Sequence, residues 1–458
     1  MTPQATVLDA PPVPASPGPA EPFRPIQYLG SKARLLGLIG STLDAVDPAR
    51  GPVLDLFSGS GVVAAHLAAA RPVTAVDIQE YARVLAAALM TPERMPPAAA
   101  EHLCAAAATA AAERAGPGIE GLLRLEARAA QALEAGDLEP LCEILEGGSP
   151  VASRLGEGPD GGPLAAALDA ASAELEGLRP AAVLTGHYGG VYFGYAQALQ
   201  LDCLLEAARS LPAGPSRDTA LAATLGAASE TVTSVGSHFA QPVRPRDRDG
   251  RPKPGVLAAA ERRRRRDVLA VFAERMARYA ALPGAAHGAS AVRADYRSFL
   301  ESHRGEVAVA YADPPYTRDH YSRFYHVLET MALGDAPSIA TMTVGGETRL
   351  SRGLYREQRH QSPFCIRSLA PAAFSALFEG ARRFEAPLVV SYSPYESGTA
   401  ARPRPRLLTI PDVVDLASEH FSRVEVRSGG TLSHSRFNAQ RLNGEVNKEA
   451  EQLIVCRP

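Results

Sequence analysis
Two hydrophobic rhythms divide this chain. In the first, short apolar runs alternate with stretches in which apolar residues recur every three to four positions. Val53-Leu54-Asp55-Leu56-Phe57 and Val73-Thr74-Ala75-Val76-Asp77 read as buried strands. The first opens through Ser58-Gly59-Ser60-Gly61 into an Ala-rich helix over 62–70, and the second passes into a helix carrying Tyr81, Val84 and Leu85. Such a βαβ unit with a glycine-rich first turn implies a parallel sheet. Ahead of it, Leu35, Leu36, Ile39 and Leu43 share one helical face, until Pro48 and Gly51-Pro52 break the pattern.

From about Met95 to Ser290 the second rhythm takes over. Residues 98–178 are rich in Ala, Glu and Leu and predict helices, with glycine breaks near Gly147 and over 156–162. An aromatic, glycine-containing stretch follows (His187, Tyr188, Tyr192, Phe193, Tyr195), then Arg alternating with Pro and Asp from Arg244 to Lys253. Arg262, Arg263, Arg264, Arg265 and Arg266 are expected at the start of a helix. Strand–helix alternation returns at Val292, with candidate strands approaching Asp313, at 388–392, at 424–426 and at 453–455. The reading is an α/β catalytic domain over 23–94 and 291–458, split by a mostly helical insertion over 95–290. Residues 1–22, rich in Pro and Ala, read as a disordered tail without the basic segment of a signal peptide.

Composition narrows the classes. The 458-residue chain has a formal net charge of −3, so any nucleic-acid surface must be a local patch. Its 5 cysteines are scattered without a C-x-x-C pair, which argues against a zinc site or a disulfide framework and fits a reducing cytosol. No apolar run is long enough to span a bilayer.

Candidate chemistry concentrates at strand ends. Asp313-Pro314-Pro315-Tyr316 follows the apolar run 307–312, at the carboxyl edge where α/β enzymes bind ligands. Prolines lack N–H groups, so the carbonyls there are free to accept. Asp313 and the Pro314 carbonyl suit the two N–H groups of a planar amine, with Tyr316 stacking on its ring; a plain acidic turn ending in prolines is the alternative. Gly59 and Gly61 let a ligand approach the backbone, or simply make a tight turn. A dinucleotide fold wants a third glycine, and here Val62-Val63-Ala64 follows. Asp55 beside the loop would repel a pyrophosphate but accept a bond from an ammonium. Asp77 lies where such folds hold a ribose. S-adenosylmethionine, with an ammonium, a ribose and an adenine but no phosphate, fits these residues.

In order, Tyr28-Leu29-Gly30-Ser31-Lys32, Asp55-Leu56-Phe57-Ser58-Gly59-Ser60-Gly61, Asp77, Asp295-Tyr296 and Asp313-Pro314-Pro315-Tyr316 resemble the Dam-like class of adenine-specific DNA methyltransferases. The resemblance covers about 24–92 and 290–458 and is weak across the insertion. It implies a Rossmann-like sheet and site-specific transfer of a methyl group from S-adenosylmethionine to the exocyclic amine of a flipped-out adenine in double-stranded DNA. It also implies companion restriction or defence proteins. Phe57, Gly59 and Gly61 would line the methionine portion of the cofactor, with Tyr28 and Lys32 closing over it. Asp77 would hold the ribose, Ile78 would lie against the adenine, and Asp295 and Tyr296 would flank it. Ser60, Val62 and Ser31 depart from the usual glycine-rich pattern, which puts pocket detail in question.

The segment from Thr317 to Glu329 mixes Arg318, Tyr321 and Arg323 with aromatics. It reads either as a grip on phosphates near the flipped base or as an amphipathic helix with Tyr325, Leu328 and Met331 inward. Arg262–Arg266 reads as a solvated face or, beside Arg244–Lys253, as a contact to the DNA backbone. The insertion is the expected target-recognition element, with the aromatic stretch 187–195 and the loop 345–359 as other places for it. A cytosine-C5 enzyme would need a Pro-Cys dipeptide, which does not occur. A cytosine-N4 enzyme and a non-catalytic DNA-recognition subunit with this fold remain as alternatives.

Overall fold
The computed structural model describes residues 23–315, 320–393, 397–399, 402–404, 407–428 and 451–458. Its centre is a 7-stranded sheet. The strands are β1 (Val53–Leu56), β2 (Val73–Asp77), β3 (Ala289–Arg293), β4 (Val309–Ala312), β5 (Leu388–Tyr392), β6 (Arg423–Ser428) and β7 (Gln452–Arg457). They lie in the order β3-β2-β1-β4-β5-β7-β6. The first five run parallel, and β7 is antiparallel to both β5 and β6. Every residue of β1, β4 and β5 is buried, as expected for parallel strands covered on both faces. Edge strand β3, Ala-Ser-Ala-Val-Arg, is only half covered and its small residues gave little periodic signal. It pairs with β2.

From β1 the chain proceeds outward to β2 and β3 on one side and later to β4 and β5 on the other. The β1/β4 junction is therefore the switch point of the sheet, where loops at the carboxyl ends part to leave a crevice. Asp55 in β1 and Asp313 just after β4 flank it. One face of the sheet is covered by Leu36–Val46 and Val62–Ala68, the other by Tyr296–Ser302, Ala370–Arg382 and Ile410–Ser418, as the side chains in two separate core clusters indicate.

The segment 95–290 is helical as expected, with helices Pro97–Arg114, Pro117–Glu134, Glu139–Gly147, Gly162–Gly177, Tyr195–Ser210, Pro215–Thr231, Pro254–Arg264 and Val268–Ala280 among its described elements. It packs directly onto a helix that belongs to the sheet. Leu103, Leu122, Leu204, Leu225 and Phe272 from these helices share one core with Tyr81, Val84 and Leu85 of Glu80–Met90, and with Tyr325 and Leu328 beyond the catalytic loop. Glu329 ties the pieces further: its carboxylate accepts from the Glu80 and Tyr81 N–H groups at 3.1 and 3.0 Å, capping that helix from outside.

Two sequence expectations change here. The arginine run lies at the end of Pro254–Arg264, where cations favour the helix dipole, and the next helix is started by Asp267, whose side chain accepts from Leu269 and Ala270. The aromatic stretch is interior: Tyr188, Tyr192, Phe193 and Tyr195 are fully buried, so it presents no face to a base. Thr341–Val344 and Glu347–Leu350 form an exposed hairpin turned by Gly345-Gly346, whose φ values of 62° and 88° suit a two-residue turn. Among the described residues no helix is long and apolar enough to cross a membrane.

Candidate active site
The loop after β1 is held in an unusual backbone conformation. Phe57, Gly59 and Gly61 have φ of 64°, 54° and 76°. A Cβ at Gly61 would lie 2.6 Å from the Ala86 Cα, so the turn packs against the neighbouring helix. A Cβ at Gly59 would lie 2.5 Å from the Tyr28 hydroxyl. Phe57 adopts the left-handed region despite its side chain, with its ring between Tyr296 at 5.1 Å and Phe364 at 5.3 Å. Asp77 fixes the loop from β2. Its two oxygens accept from the Gly59 and Gln79 N–H groups, both at 2.9 Å. Burial pushes the Asp77 carboxyl upward, and these donors pull it back.

Asp55 is different. It is 1% exposed, and its Oδ2 has no hydrogen-bond partner among the described residues. Burial, then the nearby charges of Asp313 and Asp77, push its carboxyl well above the usual carboxylate range. Ser58 Oγ and Ser322 Oγ are also buried and unpartnered among the described residues. All three side chains line one pocket, together with Tyr28, Lys32, Phe57, Gly59, Asp77, Ile78, Asp295, Tyr296, Asp313, Pro314, Pro315 and Tyr321. Gly61 stands just behind its wall. The structure thus gathers the expected cofactor residues around one cavity at the switch point.

Lys32 reaches the Asp313 side of that cavity. It projects from a short 3-10 turn, Lys32–Arg34, where Ser31 accepts from the Ala33 N–H. Its Nζ lies 2.9 Å from Asp313 Oδ1 and 3.3 Å from Glu451 Oε1. Ser391 donates to Glu451 at 2.6 Å. Lys32 is therefore the cation between two carboxylates, in addition to lining the pocket. Glu451, immediately before β7 and fully buried, was not singled out in the sequence, because a lone acid before a terminal strand carries no motif.

Tyr28 closes the opposite wall, stacked on Tyr325 at 5.0 Å and 9° and tilted against Tyr321 at 6.0 Å. Burial raises its phenol well above the usual value, so the hydroxyl stays protonated. The inserted helices help to hold this wall: the Gln27 N–H donates to Ser229 Oγ at 3.0 Å and Arg275 to the Pro25 carbonyl at 2.6 Å. From the other side the Leu29 N–H donates to Tyr325 Oη at 2.7 Å. Asp295 caps Tyr296–Ser302 by accepting from the Arg297 N–H at 3.0 Å, and the Tyr296 hydroxyl donates to the Ala373 carbonyl at 3.1 Å. Burial lowers the pKa of His360, also in the lining, despite the opposing charge of Asp295. Phe364 and His360 escaped the sequence reading because they lie in an irregular segment without a periodic pattern.

Tyr316 and Arg318 lie outside the described residues. Arg323 is exposed, its guanidinium 5.5 Å from the Tyr355 ring centre. The run Arg262–Arg266 is not brought to the pocket. Arg264 is buried against Glu126 at 2.8 Å, Arg265 pairs with Glu261 and Glu134, and Arg266 pairs with Glu230 at 2.6 Å. Arg263 donates to the Val232 carbonyl and Ser237, leaving Arg262 as the exposed member without a recorded partner among the described residues. These contacts give the run a structural use in place of the row of available cations expected from sequence.

Comparison with known proteins agrees with the geometry. No curated protein matches the chain. The D12 class N6 adenine-specific DNA methyltransferase family matches residues 28–114 and 271–355, which contain Tyr28, Lys32, Asp55, Asp77, Asp295 and Asp313 and reach into the expected insertion, over Pro97–Arg114 and most of Val268–Ala280. With the parallel sheet, its switch-point pocket and Asp313-Pro314-Pro315 at the β4 edge, these two segments, less than half of the chain, are similar to the D12 class of N6 adenine-specific DNA methyltransferases.

Proposed function
We propose that this enzyme uses S-adenosylmethionine to methylate N6 of an adenine flipped out of a specific site in duplex DNA. Asp55 carries the cofactor part of this reading: a buried carboxylate oxygen with no protein partner, beside a glycine loop, is matched by an ammonium. A buried acceptor left unpaired costs about 1–3 kcal/mol, which a ligand donor offsets. Asp77 retains lone pairs for ribose hydroxyls beyond its two backbone bonds. Tyr296, Phe364 and Ile78 supply apolar faces for a purine, with Phe57, assigned to the methionine portion, packed against the first two. No carboxylate-repelled pyrophosphate is required by this donor set.

When bound, S-adenosylmethionine supplies an electrophilic methyl group. The chain's residues prepare the acceptor amine. Its nitrogen lone pair is delocalised into the adenine ring and must be freed to form the new bond. Asp313 and the Pro314 carbonyl accept its two N–H hydrogens and favour the pyramidal nitrogen as positive charge grows there. Lys32 holds the Asp313 carboxylate in place from 2.9 Å. Holding the amine in line supplies much of the remaining acceleration. The amine is inaccessible in a stacked duplex, so the base must leave the helix, and Tyr316 is the stacking surface assigned to it.

The test is incubation of the purified enzyme with methyl-labelled S-adenosylmethionine and duplex DNA, followed by nucleoside analysis. Label in N6-methyladenine supports the reading. Label in N4-methylcytosine, or no transfer by folded enzyme that binds the cofactor, contradicts it.

A further inference from the structure
A second cleft, about 570 Å³, lies outside the catalytic pocket, between the loop 240–244, the first turns of Pro254–Arg264 and the segment Arg352–Tyr355. Four cations line it, Arg244, Lys253, Arg263 and Arg352, and no Asp or Glu is among its described lining residues. Among the described residues none of Arg244, Lys253 and Arg352 has an ion-pair partner. The contrast with Arg246, two residues along, is direct: that side chain is held by Glu139 at 2.6 Å and Glu146 at 3.0 Å. Glu146, the nearby acid that partly offsets Arg352, is thus already engaged. The charges of Arg352 and its neighbour Arg244 repel, adding to the effect of burial on Arg352. Like charges kept this close on a chain of net charge −3 are stabilised by an anion.

Two further observations point to a ligand. Thr233 Oγ1 and Ser234 Oγ line the same cleft, are more than nine-tenths buried, and have no hydrogen-bond partner among the described residues. The 11-residue helix Pro254–Arg264 also opens here, at Gly255, and its cap residue Lys253 provides no side-chain bond to the first turn. Backbone N–H groups and the positive end of the helix dipole add to the attraction for phosphate.

The cleft is not isolated from the catalytic site. Tyr355 forms part of its wall, with the guanidiniums of Arg323 and Arg359 lying 5.5 and 5.0 Å from its ring centre. Arg323 directly follows Tyr321 and Ser322, which line the catalytic pocket, and Arg359 precedes His360, which does so too. Cations therefore continue from the mouth of the pocket, past Tyr355, into the cleft. An isolated small anion would use one end of such a track.

We infer that Arg244, Lys253 and Arg352 bind the backbone phosphates of the duplex whose adenine is methylated, with Arg323 and Arg359 continuing the contact toward the flipped base. This rests on duplex DNA being the substrate. It assigns the electrostatic grip to this cleft, and leaves Arg264, Arg265 and Arg266 to intramolecular ion pairs.

The experiment compares the full-length enzyme with the triple variant Arg244→Gln/Lys253→Gln/Arg352→Gln. Duplex affinity is measured across a salt series, with cofactor calorimetry, thermal unfolding and methylation kinetics on both proteins. Each phosphate contact contributes about 0.9 to the slope of log affinity against log salt, so three lost contacts flatten it by about 2.7. Affinity near 0.1 M salt should fall at least about tenfold. The KM for duplex should rise while kcat at saturating DNA, the melting temperature and cofactor affinity stay within about twofold or a degree or two of wild type. An unchanged salt slope and duplex affinity overturn the inference, as does loss of inorganic phosphate binding with duplex binding intact, which would make the cleft a small-anion site. Failure of the wild type to methylate any duplex would instead contradict the enzymatic reading, while the binding comparison would still decide the role of the cleft.

Discussion
Asp202 and Asp55 are both buried carboxylates, one among the inserted helices and one at the carboxyl edge of the sheet, and their surroundings differ in kind. Asp202 accepts from the Leu184 and Thr185 N–H groups, both at 2.9 Å, and from the Thr185 hydroxyl at 2.8 Å. Burial pushes its carboxyl up to about 7, and the donors oppose that rise. Asp55 Oδ2 has no such donor, and two further carboxylates stand nearby. The same contrast holds for cations. Arg264 and Arg275 in the inserted helices are matched by Glu126 and Glu230, whereas Arg244 and Arg352 stand together with no ion pair among the described residues, the nearby Glu146 being held by Arg246. Buried polar groups that are satisfied hold a fold together; Asp55 Oδ2, Thr233 Oγ1 and Ser234 Oγ, unpartnered among the described residues, line clefts where a ligand would supply the partner. A protein carries that cost where ligand binding repays it.

The sharpest way to break this contrast is at Asp313, the carboxylate held by Lys32 and proposed to act on the reacting amine. Asp313→Ala should reduce kcat by about a hundredfold or more, equivalent to roughly 3 kcal/mol of barrier, while calorimetry finds cofactor affinity little changed. Wild-type turnover in the purified variant would remove Asp313 from the chemistry.

Next in size is Lys32, the cation between Asp313 and Glu451. Lys32→Met leaves two buried or half-buried carboxylates facing each other and should cost about 3–5 kcal/mol in denaturant unfolding. Adding Glu451→Gln should recover part of that stability but not the lost turnover, because Asp313 would still lack its positioning partner. Arg264→Met, made in the insertion, should cost a similar amount of stability while leaving kcat of the folded fraction unchanged. If both cation deletions changed turnover alike, the division between structural and functional charge would fail.

Asp77→Ala should produce a smaller effect, confined to the cofactor. Losing the acceptor for ribose hydroxyls should weaken S-adenosylmethionine binding by about 1–3 kcal/mol, with some added loosening of the Gly59 turn. An unchanged dissociation constant by calorimetry would place the ribose elsewhere.

These residues were legible in the sequence for physical reasons. Parallel strands buried on both faces leave uninterrupted apolar runs, so β1, β2, β4 and β5 announced themselves, and the acids and glycines that follow them fell at the sheet edge. β3 did not, because Ala-Ser-Ala-Val-Arg at an exposed edge lacks a strong apolar signal. Helices in the insertion followed from composition, but their packing against Glu80–Met90 and their grip on Pro25 and Gln27 depend on contacts hundreds of residues apart in some cases. Charge clustering misled most. Arg262–Arg266 is the densest basic run, yet its partners Glu126, Glu134, Glu230 and Glu261 come largely from other helices. Arg244, Lys253 and Arg352 are dispersed along the chain and only the fold brings them together.

Asp55 tests the central claim most directly. Its folded-state pKa is raised above the unfolded carboxylate value, so wild-type stability is greatest below that ordinary value and is lost as pH rises through the folded one. Asp55→Asn removes the ionisation and with it that loss. Thermal unfolding at pH 8, with and without S-adenosylmethionine, should show the cofactor-free variant melting above wild type, by the equivalent of about 1–3 kcal/mol. Saturating cofactor at a hundred times its dissociation constant should stabilise wild type by about 2.7 kcal/mol and the variant far less. A variant that melts below wild type and keeps the full cofactor shift would contradict the account, because Asp55 would then be a structural group and not the open acceptor of the site.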